Sequence, residues 1–361
     1  MKLTQPYKLL LLLFLLPVFA TANVNQDRKY TKEKVINKTF SVNTNATLKI
    51  DNSYGNIDIV TWNENKIAFE ITITTAGNNE EKVTNKLKEI EVDFEASSNM
   101  VYAKTNFKKS SKSWWPWANY NNVNMKINYI VKIPITNSIV LNNDYGNINV
   151  AKLEGSAKIH CDYGKITTKE LLADGNEINF NYTNNCYFDY IKSGEIDADY
   201  SSFTVGKTNN LNIKADYTNS IVEIAENVNY NCDYGSIKIE KANNITGNGD
   251  YLTTLIGDVY KNLKLDADYG IIKIKNITQN AGNININSDY TGIKIGFDPS
   301  YHFNFEIDLD YASLKNKKDL QFIVTEEKNI SKYYKGFYGS DNSGNTIKIE
   351  SDYGNVSLLK N

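Results

Sequence analysis

Residues 211–240 read LNIKADYTNSIVEIAENVNYNCDYGSIKIE, and this stretch decides the fold. Leu211, Ile213, Ala215 and Tyr217 share one parity, while Asn212, Lys214 and Asp216 take the other. Strict alternation of this kind marks strands, because successive side chains of a strand point to opposite faces. Asp216-Tyr217 and Asp233-Tyr234 lie 17 residues apart. Ile237 and Ile239 then resume the apolar alternation after the second of these pairs.

Outward from this stretch the same unit recurs. Asp or Asn followed by Tyr and, except for Leu252 after Tyr251, a small or polar residue appears at Tyr145, Tyr163, Tyr182, Tyr200, Tyr217, Tyr234, Tyr251, Tyr269, Tyr290, Tyr311 and Tyr353. From Tyr145 to Tyr269 the steps are 18, 19, 18, 17, 17, 17 and 18 residues; two steps of 21 follow, then one of 42 that contains an insertion. Ser53-Tyr54-Gly55 is an early outlier. A fixed period near 18 means that one structural unit is stacked. The expected fold is all-β: a right-handed parallel β-helix, or β-solenoid, with rungs of about 18 residues. At about 4.8 Å per rung, eleven turns give a rod roughly 50 Å long. An antiparallel β-sandwich is the alternative, but the constant register of Asp-Tyr favours stacking.

Parity places the ladder tyrosines Tyr145, Tyr163, Tyr200, Tyr217, Tyr234, Tyr251, Tyr269, Tyr290, Tyr311 and Tyr353 inward at a corner. Small residues two positions earlier, such as Cys161, Ala215, Cys232 and Ala267, leave room for the rings. The glycine or small residue after each Tyr is expected to supply a positive φ at the bend. The Asp of the motif has outward parity. Carboxylates about 4.8 Å apart repel by about 1 kcal/mol in water, so something offsets this. Either each Asp caps N–H groups of its own turn, or bridging Ca²⁺ ions line the row. The glycine-rich nonapeptide of calcium β-rolls is missing, which favours the caps. Cys161 and Cys232 occupy equivalent inward positions four rungs apart, too far for a disulfide, and are expected as buried free thiols.

The N-terminus reads as a signal peptide over residues 1–22. Lys2 and Lys8 precede the apolar run Leu9 to Phe19, and Ala20-Thr21-Ala22 is a small-x-small cleavage site. Residues 23–136 read as a cap of strands with an inserted helix from Glu80 to Val92, and residues 137–361 as the repeat array. The cap contains Lys108, Lys109, Lys112, Trp114, Trp115, Trp117 and Tyr120 in one short loop. Three of the four Trp residues gather there. These indoles either pack on the cap or form an exposed aromatic and basic tip suited to a glycan, a protein partner or a membrane surface.

A net charge of −2 gives no electrostatic footprint for nucleic acid. His160 and His302 are isolated in sequence, and there is no nucleophile elbow, phosphate loop or paired-Cys site. No catalytic residue, metal site or cofactor is expected.

The opening strands with Tyr54-Gly55-Asn56-Ile57, the inserted helix, the Ile133-Pro134 strand and the Asp-Tyr-Gly run resemble the putative adhesin family of exported bacterial β-solenoids, described as auto-transporter-adhesin-like. The resemblance covers essentially the whole mature chain and concerns architecture. It implies a setting at the cell envelope, sometimes in envelope-stress systems, and brings no catalytic residues. The expected function is a non-enzymatic, monomeric interaction protein beyond the inner membrane, binding an envelope protein or glycan. A periplasmic structural or regulatory component is the alternative, and a polysaccharide-acting β-helix enzyme the remote one.

Overall fold

A computed structural model of the chain describes residues 28–108 and 123–361. The signal peptide expected over residues 1–22 lies outside the described residues, as do Lys109, Lys112, Trp114, Trp115, Trp117 and Tyr120.

The described residues form an all-β structure in which 27 strands join one long sheet. Each repeat contributes one strand before the Asp-Tyr turn and one after it. Both pair in parallel with their copies in the neighbouring repeats. Ile196, Ala198 and Asp199 face Ile213, Ala215 and Asp216, and Ser220 and Val222 face Ile237 and Ile239. Alternate residues such as Leu211, Ile213 and Ala215 are buried, so the apolar parity of every strand feeds one continuous core. The sheet is mixed, however: it is parallel through the repeats and antiparallel at both ends.

The turn differs from expectation. The positive φ belongs to the tyrosine, at 52–63° in all twelve Tyr positions of the motif, and not to the glycine after it. A left-handed residue breaks the alternation. Ala215 points in, Asp216 and Tyr217 point out, and Thr218 points in again. Except at Tyr311, whose N–H donates to the Ile330 carbonyl, each Tyr N–H of the motif donates to the Asp or Asn carbonyl of the adjoining rung, as in Tyr217 to Asp233 at 3.0 Å and Tyr234 to Asp250 at 3.0 Å. The residue after Tyr is therefore an inner position of tight approach. A Cβ at Gly146 would lie 1.8 Å from the Gly55 carbonyl oxygen. Where this position carries Thr183, Thr218 or Thr291, the residue is buried, and the hydroxyls of Thr218 and Thr291 donate to carbonyls of Ala198 and Ala267.

The array also begins earlier than residue 137. Thr47–Ser53 pairs in parallel with Ser138–Asp144, and Ile57–Trp62 with Ile148–Val150, so Tyr54 heads a rung of the same series. Residues from Lys66 onward leave this rung and return on its far side. Met100–Phe107 and Asn124–Pro134 add one more parallel layer, which Ile90–Ala96 and Lys66–Gly77 close with antiparallel pairing. Tyr30–Ser41 is the outermost strand there, and Lys32, Glu33, Lys34 and Lys38 discourage further pairing at this edge. The helix Glu80–Glu89 packs on these strands; Asn79 caps it by accepting from the Lys82 N–H at 3.0 Å, and Val83 is its buried residue.

At the other end the chain order is not the spatial order. Thr346–Asp352 lies between Ile284–Asp289 and Phe303–Asp310, parallel to both. Val356–Lys360 likewise enters between Gly292–Phe297 and Leu314–Lys315. The 42-residue step from Tyr311 to Tyr353 thus returns the chain into a slot one rung back. The intervening residues build the antiparallel pair Gln321–Lys328 and Ser331–Tyr338, which covers the edge of Phe303–Asp310.

Cys161, Cys186 and Cys232 are buried free thiols, and burial pushes the Cys161 and Cys232 thiols up to about 12.

Candidate functional site

The twelve tyrosines stack into one row, in the order Tyr54, Tyr145, Tyr163, Tyr182, Tyr200, Tyr217, Tyr234, Tyr251, Tyr269, Tyr290, Tyr353, Tyr311. Neighbouring centroids are 4.5–5.2 Å apart, and the ring planes agree within 8°. The rings stand outside the core, 41–55% exposed, and not inward as the parity implied. The cause is the left-handed backbone at each Tyr, which turns the side chain to the face already taken by Asp. Two members escaped the sequence-based ladder. Tyr182 follows Asn instead of Asp, although its spacing fits; Tyr54 is separated from Tyr145 by the inserted cap strands.

Stacking covers the flat faces of the rings, so the ridge presents ring edges and hydroxyls. At the end of the row Tyr54 and Phe107 form a T-shaped pair with ring centroids 6.0 Å apart. Partial burial, then the neighbouring phenols and Asp side chains, raise the pKa of Tyr163, Tyr234 and Tyr269. These three hydroxyls therefore hold their protons more tightly, and a phenol hydroxyl serves as both donor and acceptor.

Beside the ridge runs the carboxylate row. Asp144 faces Asp162, Asp199 faces Asp216, Asp268 faces Asp289, and Asp352 stands between Asp289 and Asp310. The carboxylates do not cap their own turns. Five of them accept the backbone N–H one rung on: Asp162 from Asn181 at 3.1 Å, Asp199 from Asp216 at 3.2 Å, Asp216 from Asp233 at 3.1 Å, Asp233 from Asp250 at 2.8 Å and Asp268 from Asp289 at 2.9 Å. These bonds tie rung to rung and offset part of the repulsion along the row.

Burial first, and then the adjoining carboxylates, hold Asp144, Asp250 and Asp352 above the ordinary carboxylate range. The folded state thus binds these protons more tightly than the unfolded chain, whose Asp pKa is about 3.9. Their stabilising effect is full below that value and is lost as pH rises through the raised folded values. Glu226 is held low by its hydrogen bonds to Asn243 and Lys261, and Glu327 by those to Tyr334 and Lys317; they oppose this only below the ordinary Glu range. The melting temperature is therefore expected to gain from these groups as pH is lowered from about 8 toward the ordinary Asp pKa of about 3.9, and Asp250→Asn should flatten that gain. A melting temperature that falls steadily on acidification from pH 8 would contradict this.

Of the expected binding loop, only Lys108 lies among the described residues. Its ammonium pairs with Glu91 at 2.6 Å, and both side chains are solvent-exposed, so the pair adds little stability. A groove of about 540 Å³ lies away from the ridge on the strands after the turn. Lys238, Lys273, Lys275 and Lys294 rim it, and Gly257 and Gly296 leave its floor bare. Lys238 is taken up by Glu240 at 2.5 Å, and the groove is an open trough, so the ridge remains the more developed surface.

Among the described residues no helix is long and apolar enough to cross a membrane. No family model matches the chain, and no curated protein is similar to it. Among solved structures it is similar to a putative adhesin from Parabacteroides merdae, with 14% identity over 90% of this chain and 96% of that one and a TM-score of 0.35. A putative adhesin from Parabacteroides distasonis matches at 13% identity over 90% and 97%, with a TM-score of 0.32. A putative cell adhesion protein from Clostridium sporogenes matches at 13% identity over 91% and 100%, with a TM-score of 0.17. The neighbours bear the same description as the family that the Asp-Tyr-Gly repeats resemble. At these TM-scores the chains do not superpose closely, and no site is carried across.

Proposed function

We propose that the chain is an exported, non-enzymatic interaction protein of the bacterial cell envelope or cell surface, adhesin-like in build, and that the tyrosine ridge is its contact surface. Its parallel rungs wind as a right-handed β-solenoid, the hand that parallel crossovers adopt. The partner is an envelope glycan or protein long enough to lie along several rungs.

The observation that carries this reading is the choice of residue at the turn. A left-handed non-glycine residue costs about 1–2 kcal/mol. Gly or Asn makes the same turn more cheaply, and this chain uses Asn185, Asn316, Asn329 and Asn342 at positive φ elsewhere. Ring stacking returns only about 0.5–1.5 kcal/mol per pair. The ladder therefore does little better than break even as a staple, and its retention at twelve turns fits a role for the exposed rings themselves. Neutral hydroxyls at regular spacing along a rigid aromatic ridge suit hydrogen bonding to a repetitive polymer or to a protein edge.

The test is the triple variant Tyr200→Asn, Tyr217→Asn, Tyr234→Asn. Relief of backbone strain is expected to balance the lost stacking, leaving the melting temperature within a few degrees of the parent. Retention on isolated cell envelopes should fall at least tenfold. Unchanged retention would rule out the ridge as the contact surface. A large fall in melting temperature would make the ladder architecture alone.

A further inference from the structure

One rung of the carboxylate row departs from the repeat. Asp144 and Asp162 are in register on neighbouring strands, as such pairs are along the whole row. His160 lies two residues before Asp162 on the same outward face. In the flanking repeats its place is taken by Asn142 and Asn179, and beyond Asn179 by Asp197 and then Lys214. An imidazole thus enters the row at this rung and not at those. One ligand atom from each of Asp144, His160 and Asp162 lies within 4.8 Å of the others, and all three residues are half-buried.

The hydrogen bonds around the imidazole orient it. His160 Nδ1 is 2.9 Å from the side-chain oxygen of Asn179. An amide oxygen accepts, so Nδ1 carries the proton, and the neutral ring leaves the Nε2 lone pair free. That lone pair faces Asp162 Oδ2 at 3.6 Å. The other Asp162 oxygen is already engaged by the Asn181 backbone N–H at 3.1 Å and its side-chain amide at 3.2 Å. A lone pair and a carboxylate oxygen repel unless a cation sits between them. With Asp144 on the adjoining strand, the arrangement is two carboxylates and one imidazole, of which His160 and Asp162 are held by partners behind them, the form in which metal ligands are usually oriented.

We propose that Asp144, His160 and Asp162 bind one divalent transition-metal ion of the zinc class, through His160 Nε2 and one oxygen of each carboxylate. Imidazole with carboxylate suits zinc better than calcium, which takes oxygen ligands throughout. Three protein ligands leave a coordination position for water or for an oxygen of a bound partner. The site lies beside Tyr145 and Tyr163, yet the proposal stands whether or not the ridge is a contact surface. The competing occupant of the gap is a proton, which would make His160 an imidazolium paired with Asp162.

Titration calorimetry of the full chain with zinc chloride, above neutral pH, separates the two. The expected result is one equivalent bound, with affinity at least tenfold weaker in His160→Gln and in Asp144→Asn. Asp233→Asn, in the same row but without a histidine, should bind as the parent does. Cobalt(II) should give a visible absorption band that His160→Gln lacks, a readout that a merely structural role would not move. No heat at a tenfold excess of zinc overturns the proposal, as does binding that survives His160→Gln. Several equivalents lost together in Asp233→Asn would do the same, by making the row a generic cation sink.

Discussion

Deleting Thr346–Asn361 is expected to unfold everything beyond about residue 298, not merely to shorten the protein by one rung. In a simple stack the last rung in sequence is the last in space, and its loss costs one interface. Here Thr346–Asp352 and Val356–Lys360 are the penultimate layer, held on both sides. Ile347, Ile349, Val356 and Leu358 are each at most 2% exposed. At about 1.5–3 kcal/mol for each buried aliphatic side chain, their removal forfeits roughly 6–12 kcal/mol. Phe303–Asp310 and the antiparallel pair beyond it would also lose the surface they stand on. Limited proteolysis should digest residues 298–345 of the truncated chain while the rungs from Thr47 to Asp289 resist. Trimming Tyr30–Ser41, a strand with no buried residue, should have a much smaller effect. A truncated chain that keeps the parent's melting temperature and protease resistance would contradict the intercalated order.

A second large effect is expected at Gly247. Along one inner column the residues are Ile213, Tyr230, Gly247 and Leu265, in register on successive rungs. Tyr230 is 6% exposed, and a Cβ at Gly247 would lie 2.0 Å from its ring. The large residue thus takes the space that its neighbour vacates. Gly247→Val should destabilise by about 3 kcal/mol or more, because the ring has no alternative place in a close-packed core. Tyr230→Ile should lose about 2–4 kcal/mol by leaving a cavity over the glycine. The double variant restores a regular aliphatic column and should recover much of the sum, with a coupling of about 2 kcal/mol or more in urea unfolding. Strict additivity would mean that the two positions do not share this space.

Much of this protein was legible before its structure. Period-two alternation in stretches such as Leu211–Ala215 marked the strands and their buried residues, because side-chain direction within a strand is a local property. The constant spacing of Asp-Tyr marked stacking in register, because identical units present identical edges. The helix expected over Glu80 to Val92 was visible from Val83, Leu87 and Ile90 on one face, but it stops at Glu89, and Ile90 opens the next strand. Even the buried thiols of Cys161 and Cys232 followed from parity and rung count.

Three things were decided only by tertiary structure. The direction of the tyrosines depended on the sign of one φ, which alternation cannot report; parity extrapolated through a left-handed residue points to the wrong side. The order of rungs depended on where the chain returned. Thr47–Ser53 joined Ser138–Asp144 across the inserted cap, and Thr346–Asp352 entered ahead of Phe303–Asp310, because every rung offers the same hydrogen-bonding edge and sequence distance does not choose between equal edges. The gathering of Asp144, His160 and Asp162 depended on a rung-to-rung approach that places residues 16 and 18 positions apart on one small patch. The sequence by itself therefore determined the repeating unit, whose physics is local. The tertiary structure determined what faces the solvent and what meets across rungs, because both arise from packing between segments that the chain keeps far apart.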